Sequence, residues 1–379
     1  MELAAYQSRA RFTELDGYRG IGVLLVIAAH MHDRIWEWTN AHGAMTAFFV
    51  ISGFIITTLG LREERKYGAM SLAAFYARRV FRILPLYYAV LGIYCLLIFG
   101  FAVGAEKASA LRAVLVPYLF YHQEVPFFVP EAYGIAGGRN VPFYQTWSLG
   151  IEEKFYLLWP LLGFVLWRAR GAVRIWGTFG LGLACMVMPV FGHPGECVFP
   201  YWNILLGCWL ALLLDDPAWH ARLARLATPW RGRVVLLLVL GCHFLGARYY
   251  ELRYPYPLFV CAALVVLLLA DGLAQRLLRS RLLVFTGTLS YAMYLVHLLC
   301  INAAERVFPA GSGSLAVSIS AWLLAAMVSL AAGWGLHALV ERPCMEFGRR
   351  IAAHCTRGRK VLAAEPGARI SSAGFEKNP

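Results

Sequence analysis

Charge is what this sequence has least of. Aspartate, glutamate, lysine and arginine make up 15% of its 379 residues, against about 25% in a soluble domain, which excludes an ordinary water-facing globule. Acidic residues are the scarcer sign, 22 against 35 lysines and arginines, for a net charge of +13. In a soluble chain that excess would point to nucleic acid. Here the basic residues bracket long apolar runs, so membrane topology accounts for them and no nucleic-acid partner is expected. No two of the nine cysteines form a CxxC pair, and Cys95, Cys185, Cys208, Cys242, Cys261 and Cys300 lie in or beside apolar runs. That pattern implies neither a disulfide framework nor a zinc site and reads as free thiols packed as small apolar side chains. HExxH, GxSxG and Gly-rich phosphate loops are missing, as is the internal repeat that many transporters carry. A cleavable signal peptide is not expected either, because the first apolar run contains Arg19 and no small-residue cleavage site follows it.

Apolar residues are abundant: 60% hydrophobic, 14% aromatic, mean hydropathy +0.59. The runs recur along the whole chain, at 15–31, 44–61, 83–102, 147–167, 175–191, 199–214, 234–247, 256–271, 283–303 and 316–340. This predicts an all-α, polytopic transmembrane bundle of about ten helices. With the N-terminus placed in the cytoplasm, 26 of the 35 basic residues fall inside. Seven fall outside: Arg34, Lys107, Arg112, Arg139, Arg248, Arg253 and Arg306. That is the positive-inside bias, and it puts both termini in the cytoplasm. The predicted organisation is a cytoplasmic N-terminus at 1–14, a transmembrane domain at 15–343 and a basic, disordered cytoplasmic tail at 344–379. Pro343 is expected to stop the last helix.

Ionisable groups inside such spans are functional suspects, since each costs several kcal/mol to insert. The first span carries Asp16, Arg19 and His30. Arg19 and His30 are eleven residues apart, which on a helix sets them on one face, about 20° and about 16 Å from each other. One helix thus presents a fixed cation near one membrane surface and a titratable imidazole near the other. Arg79 and Arg82, three apart in the cytoplasmic stretch 62–85, share a helix face. They suit a bidentate phosphate ligand or an anchor to lipid headgroups. The fourth span opens with Trp147, Glu152, Glu153 and Lys154, read either as polar groups facing an interior or as a Glu–Lys pair at the interface. On the ninth, Ser290, Tyr294 and His297 line one face. His30, Glu152 and His297 are all predicted in the outer half of the membrane. The external segment 103–146, the longest connection, holds four prolines and many aromatics. It either shapes an adjoining site or forms a passive aromatic belt.

Taken together these stretches resemble the acyltransferase-3 family of membrane acyltransferases. The resemblance rests on the arginine–ten residues–histidine pattern (Arg19 to His30), Phe48-Phe49-Val50-Ile51-Ser52-Gly53-Phe54 and Phe75-Tyr76-Ala77-Arg78-Arg79-Val80-Phe81-Arg82-Ile83-Leu84-Pro85. It continues through Trp147 to Tyr156, Ser290 to His297 and Glu341-Arg342-Pro343, in order, from about Leu15 to Pro343. The resemblance implies an integral membrane O-acyltransferase that moves an acyl group, commonly acetyl, from cytoplasmic acyl-CoA to a hydroxyl of an extracytoplasmic glycan or glycolipid. It implies the bacterial inner membrane as the site of action. Acyl-CoA enters as donor substrate and no bound cofactor is expected. On this analogy Arg79 and Arg82 hold the donor's phosphates and Arg19 contacts the donor within the bundle. His30 is the base, with Glu152 or Glu153 orienting it and Tyr294 or His297 donating a hydrogen bond to the oxyanion or acceptor. Asp16, Ser52, Trp147, Glu153, Ser290 and Tyr294 are expected to line the path. Some family members carry an extracytoplasmic SGNH-type domain. None is expected here, so the membrane domain completes the transfer alone or hands off to a separate extracytoplasmic partner enzyme. The competing class is a transporter or exporter whose intramembrane charges line a permeation path.

Overall fold

A computed structural model describes residues 1–101, 104–168, 171–188, 195–311, 313–357 and 359. Among these there is no strand. The helices in chain order are α1 (Leu3–Ser8), α2 (Thr13–Ala29), α3 (Ala41–Tyr67), α4 (Leu72–Cys95), α5 (Ala105–Leu119), α6 (Glu124–Phe128), α7 (Trp147–Leu161), α8 (Gly171–Val187) and α9 (Gly195–Asp215). They continue as α10 (Pro217–Leu226), α11 (Pro229–Leu245), α12 (Tyr256–Leu269), α13 (Leu273–Leu278), α14 (Arg281–Thr288), α15 (Ser290–Val307), α16 (Leu315–Leu336) and α17 (Arg342–Cys355). Each of the ten predicted spans coincides with one of the longer helices or, in one case, a helix pair. The chain is a polytopic helical membrane bundle. On length and apolarity alone α3, α4, α9 and α16 with their helical continuations can each cross a bilayer, and the α14–α15 pair makes a fifth span if it counts as one.

Local chemistry sets the ends. Asn40 caps α3 by accepting from the Gly43 amide at 2.9 Å, and Gly68 closes that helix with φ +75°, the left-handed turn that glycine adopts without cost. Ser71 caps α4 through the Ala74 amide. The α3–α9 crossing needs bare backbone on both sides. A methyl group on Gly53 would lie 1.9 Å from the Ile204 carbonyl oxygen, and one on Gly207 equally close to that of Val50. Small residues let membrane helices approach this closely and pack by van der Waals contact.

Two predictions about helix ends are corrected. The ninth span is broken: α14 and α15 meet at Leu289 with a bend of 77°. Thr286 and Thr288 bond back to the Leu282 and Val284 carbonyls, and such i−4 bonds loosen a helix. Gly287 lies directly against the Asp16 backbone of α2, so α14 follows α2 while α15 turns into the bundle. The tenth span does not stop at Pro343. A π-helical turn, His337–Glu341, leads into α17, where Pro343 occupies the first turn, the position at which its missing N–H costs nothing. Residues 344–355 are therefore helical, with Phe347 edge-on to Phe81 of α4. The rest of the tail, apart from 356, 357 and 359, lies outside the described residues.

Connections that the charge bias assigns to one side meet at one end of the bundle. Glu14 pairs with Arg9 and Arg279, Asp215 with Arg65, Glu64 with Arg168 and Arg174, and Glu63 with Arg78 and Arg359. At the other end His32 pairs with Glu305 at 2.7 Å and Asn40 bonds the His243 carbonyl. There the segment after α4 folds down as α5 and α6. Leu111, Val114 and Tyr118 are buried, and the Tyr87 and Tyr88 hydroxyls donate to the Tyr118 and Leu119 carbonyls. Lys154 pairs with Glu124 of this segment. Of the two readings of this stretch, a local Glu–Lys pair gives way to this pairing across elements, and Glu152 faces the interior.

Candidate active site

Four adjoining cavities run from the basic end to the opposite end. The first, about 670 Å³, opens between the start of α2, α3 and α17 and is lined by Arg11, Asp16, Arg62, Glu341, Arg342 and Arg349 among others. It shares Arg19, Ile55 and Arg82 with a second cavity of about 120 Å³ in the middle of the bundle. The second in turn shares Met45 and Tyr294 with a third of about 40 Å³ beside His30. The third shares Ala41, His42 and Arg139 with a fourth, about 460 Å³, at the far end.

The middle cavity is where the intramembrane charges meet. Arg19 from α2, Arg79 and Arg82 from α4, and Glu152 from α7 all line it, with Ser52, Tyr156, Ser290 and Tyr294. The predicted arrangement put Arg79 and Arg82 at the rim and Arg19 deeper; instead all three guanidinium groups face one chamber. Arg79 lies over the Tyr156 ring, 4.8 Å from its centroid, a cation–π contact. Ser52 hydrogen-bonds the Tyr156 hydroxyl. Among the described residues none of the three arginines has an ion-pair partner within 4.0 Å; Glu152 is the carboxylate in their chamber. Unpaired cations in a bundle interior are costly, and three that converge form a site for a multivalent anion. The bend at Leu289 adds to it by bringing the start of α15 to the chamber wall, where the buried Ser290 hydroxyl has no partner.

His30 stands at the last turn of α2. Its Nδ1 is 2.8 Å from the Val26 carbonyl oxygen. A carbonyl only accepts, so Nδ1 carries the proton and the neutral ring keeps its lone pair on Nε2. His297 is built the same way: Nδ1 lies 2.6 Å from the Tyr294 carbonyl, and Nε2 is buried without a partner. The two rings meet edge to face at 4.9 Å. Each imidazole is fixed by its own helix backbone and not by a carboxylate. The predicted role of Glu152 or Glu153 as orienter of His30 is therefore corrected. Glu152 lies with the arginines, and Glu153 lines none of the four cavities, its Oε1 buried without a partner.

Tyr294 separates the middle cavity from the His30 cavity. Its hydroxyl donates to the Gln145 carbonyl and accepts from Ser148 at 2.8 Å. With that proton committed, and with Nε2 of neutral His297 unprotonated, neither residue has a free donor for an oxyanion, contrary to the expectation. Trp147 lines the His30 cavity, stacked on Phe127 of the folded-down segment at 5.2 Å. That segment also supplies Arg139, Tyr144 and Gln145 to the same cavity, so it shapes the site and is no passive belt. Asp16 lines the mouth, paired with Arg11 at 2.6 Å.

The sequence profile described as "Acyltransferase domain" of the acyltransferase-3 family matches residues 12–338. The chain belongs to the acyltransferase-3 family. Among similar proteins, the peptidoglycan O-acetyltransferase OatA of Listeria monocytogenes is 27% identical over 78% of this chain and 50% of its own length. Acyltransferase MdmB of Streptomyces mycarofaciens is 29% identical over 90% of this chain and 93% of its own. The putative peptidoglycan O-acetyltransferase YrhL of Bacillus subtilis is 28% identical over 75% and 47%. The chain thus spans about half the length of the peptidoglycan O-acetyltransferases it matches. No solved structure matches it.

Several residues of the site were not predicted: Arg139 and Gln145 in the long connection, Tyr156, and Arg62 and Glu341 at the mouth. Arg139 carries a readable signal, a basic residue on the side the charge bias leaves poor. Glu341 stands in the Glu341-Arg342-Pro343 stretch that carries the resemblance, but its place at the mouth depends on the continued helix that buries it.

Proposed function

We propose that the protein is an integral O-acyltransferase of the bacterial inner membrane. It moves an acyl group, acetyl by preference, from cytoplasmic acyl-CoA to a hydroxyl of an extracytoplasmic glycan or glycolipid. The observation that carries the reading is a pair of sites joined by α2: Arg19, with the likewise unpaired Arg79 and Arg82 of α4, facing a chamber open to the basic end, and His30 with a bare Nε2 about 16 Å further along α2. The donor's phosphates sit at the mouth and on Arg19, Arg79 and Arg82, and its long, thin pantetheine arm carries the thioester toward His30. Nε2 of His30 takes the proton of the acceptor hydroxyl as its oxygen attacks the thioester carbonyl, a role worth about 10²- to 10⁴-fold. Collapse of the tetrahedral intermediate breaks the C–S bond, the imidazolium returns its proton to the departing thiolate, and CoA leaves by the way it came. The His30 cavity, at about 40 Å³, holds little more than one water. Tyr294 and Met45 must swing aside for the acyl group to reach it.

The test is purified protein in lipid nanodiscs, without any gradient, incubated with labelled acetyl-CoA and a membrane glycan extract, with acetylated products read by mass spectrometry. Product formation in the wild type and its loss in His30→Ala, with normal membrane insertion of the variant, is the expected result. In a parallel assay in sealed proteoliposomes, glycan movement that needs a gradient and no acyl-CoA would instead establish an exporter.

A further inference from the structure

The acyl-transfer reading leaves the fourth cavity unused. It opens at the end of the bundle away from the basic mouth, between the connection that follows α2 and the turn that follows α11, and meets the His30 cavity at Ala41, His42 and Arg139. Three of its walls are arginines: Arg34, Arg139 and Arg248. All three are exposed, and among the described residues no carboxylate lies within ion-pair distance of any of them. Two carboxylates, Asp33 and Glu37, share the wall with them, so the arginines exceed the acids of the lining by one. Asp33 accepts from the Ser318 hydroxyl and the Ile35 amide, and Glu305 is held by His32.

These arginines are also in an unexpected place. Only seven basic residues fall on this side of the membrane, and each opposes the charge bias that orients the chain. Three of the seven gather around one cavity. Arginine recognises carboxylate and phosphate through paired N–H donors, and Trp36 and Tyr250, the latter under the Arg253 guanidinium, also line the cavity, the mixture of ring surface and a few placed polar groups that small-ligand sites use.

We propose that this cavity is the acceptor site and that it selects an acidic sugar. The anionic group, a carboxylate or a phosphate, rests on Arg139 and Arg248, and the reactive hydroxyl points through the neck at Arg139 toward His30. This rests on the acyl-transfer reading for the role of His30, but the preference for negative charge follows from the cavity alone. A neutral glycan would leave that excess of positive charge, and Arg139 and Arg248 at the neck, without a counterpart.

The test is isothermal titration of the full chain in nanodiscs with maltotriose, trigalacturonic acid and maltose 1-phosphate, with acetyl-CoA titrated into the same samples. At least one acidic probe is expected to bind about tenfold or more tightly than maltotriose, one charge-assisted contact being worth at least that, and to weaken as salt is raised. Whichever acid wins identifies carboxylate or phosphate as the group read. In Arg139→Gln and Arg248→Gln the preference falls toward one. In Arg306→Gln, outside the cavity on the same side, it persists. Equal binding of neutral and acidic probes, binding of none of them, or a preference that survives both variants overturns the inference. Failure of the wild type to bind acetyl-CoA would count against the acyl-transfer reading instead and leave the two outcomes separable.

Discussion

Two sets of ionisable side chains in this protein are held in opposite ways. At the basic end the charges are matched: Arg9 grips the fully buried Glu14 through two bonds of 2.6 and 2.8 Å, and Arg174 reaches Glu64 at 2.8 Å. In the interior they are not. Arg19, Arg79 and Arg82 face a chamber with one carboxylate among them, and His30 and His297 each keep a bare nitrogen. The matched set ties connections together, and its loss would be felt as unfolding. The unmatched set contributes nothing to stability that an apolar residue could not, and by mutual repulsion detracts from it, so its presence calls for a ligand or a proton to complete it.

Substitution can break that contrast, beginning with its largest expected effect. His30→Ala should lower acyl transfer by about 10²- to 10⁴-fold with thermal unfolding unchanged, measured as turnover and as a melting curve on the same preparation. A melting point several degrees lower would make His30 structural. Arg9→Met leaves Glu14 buried with only the 3.5 Å contacts to Arg279 and the Thr13 hydroxyl. It should cost about 2–3 kcal/mol of stability, read by thermal unfolding in detergent, with the donor KM unmoved in what remains folded. Arg82→Gln should do the reverse: a donor KM raised about tenfold, from one lost charge-assisted bond, and a melting point equal to or above that of the wild type. A lower melting point would show that the chamber arginines are paired after all. Tyr294→Phe removes the bonds to Gln145 and Ser148 and should cost about 1 kcal/mol of stability. Because it loosens the partition between the chamber and His30, it should change turnover only a few-fold. An activity loss as deep as that of His30→Ala would give the hydroxyl a chemical role.

Much of this was legible in the chain. Apolar runs separated by basic turns located the ten apolar spans but neither α5 nor α17, because an apolar run of that length buries its backbone polar groups as a helix and because lysine and arginine mark one side. The eleven-residue step from Arg19 to His30 needed only an unbroken helix, which α2 supplies. The bend at Leu289 was not legible. Ser290, Tyr294 and His297 have the same spacing in a straight helix and in a broken one, and the break depends on Gly287 meeting the backbone of α2. The continuation past Pro343 escaped for a related reason, since proline in a first turn and proline ending a helix are the same residue until its neighbours are fixed.

The sequence by itself determined the class of molecule, its ten apolar elements, the side on which its charges gather and the residue types able to do chemistry, since hydropathy, charge bias and helical spacing are local properties of the chain. Only the tertiary structure decided which charges would be satisfied. Arg65 and Arg82, both in the same basic stretch, cannot be told apart until α9 brings Asp215 to one while α2 and α7 leave the other facing an open chamber. Pairing is a matter of distance between helices far apart in the chain, and no local pattern encodes it.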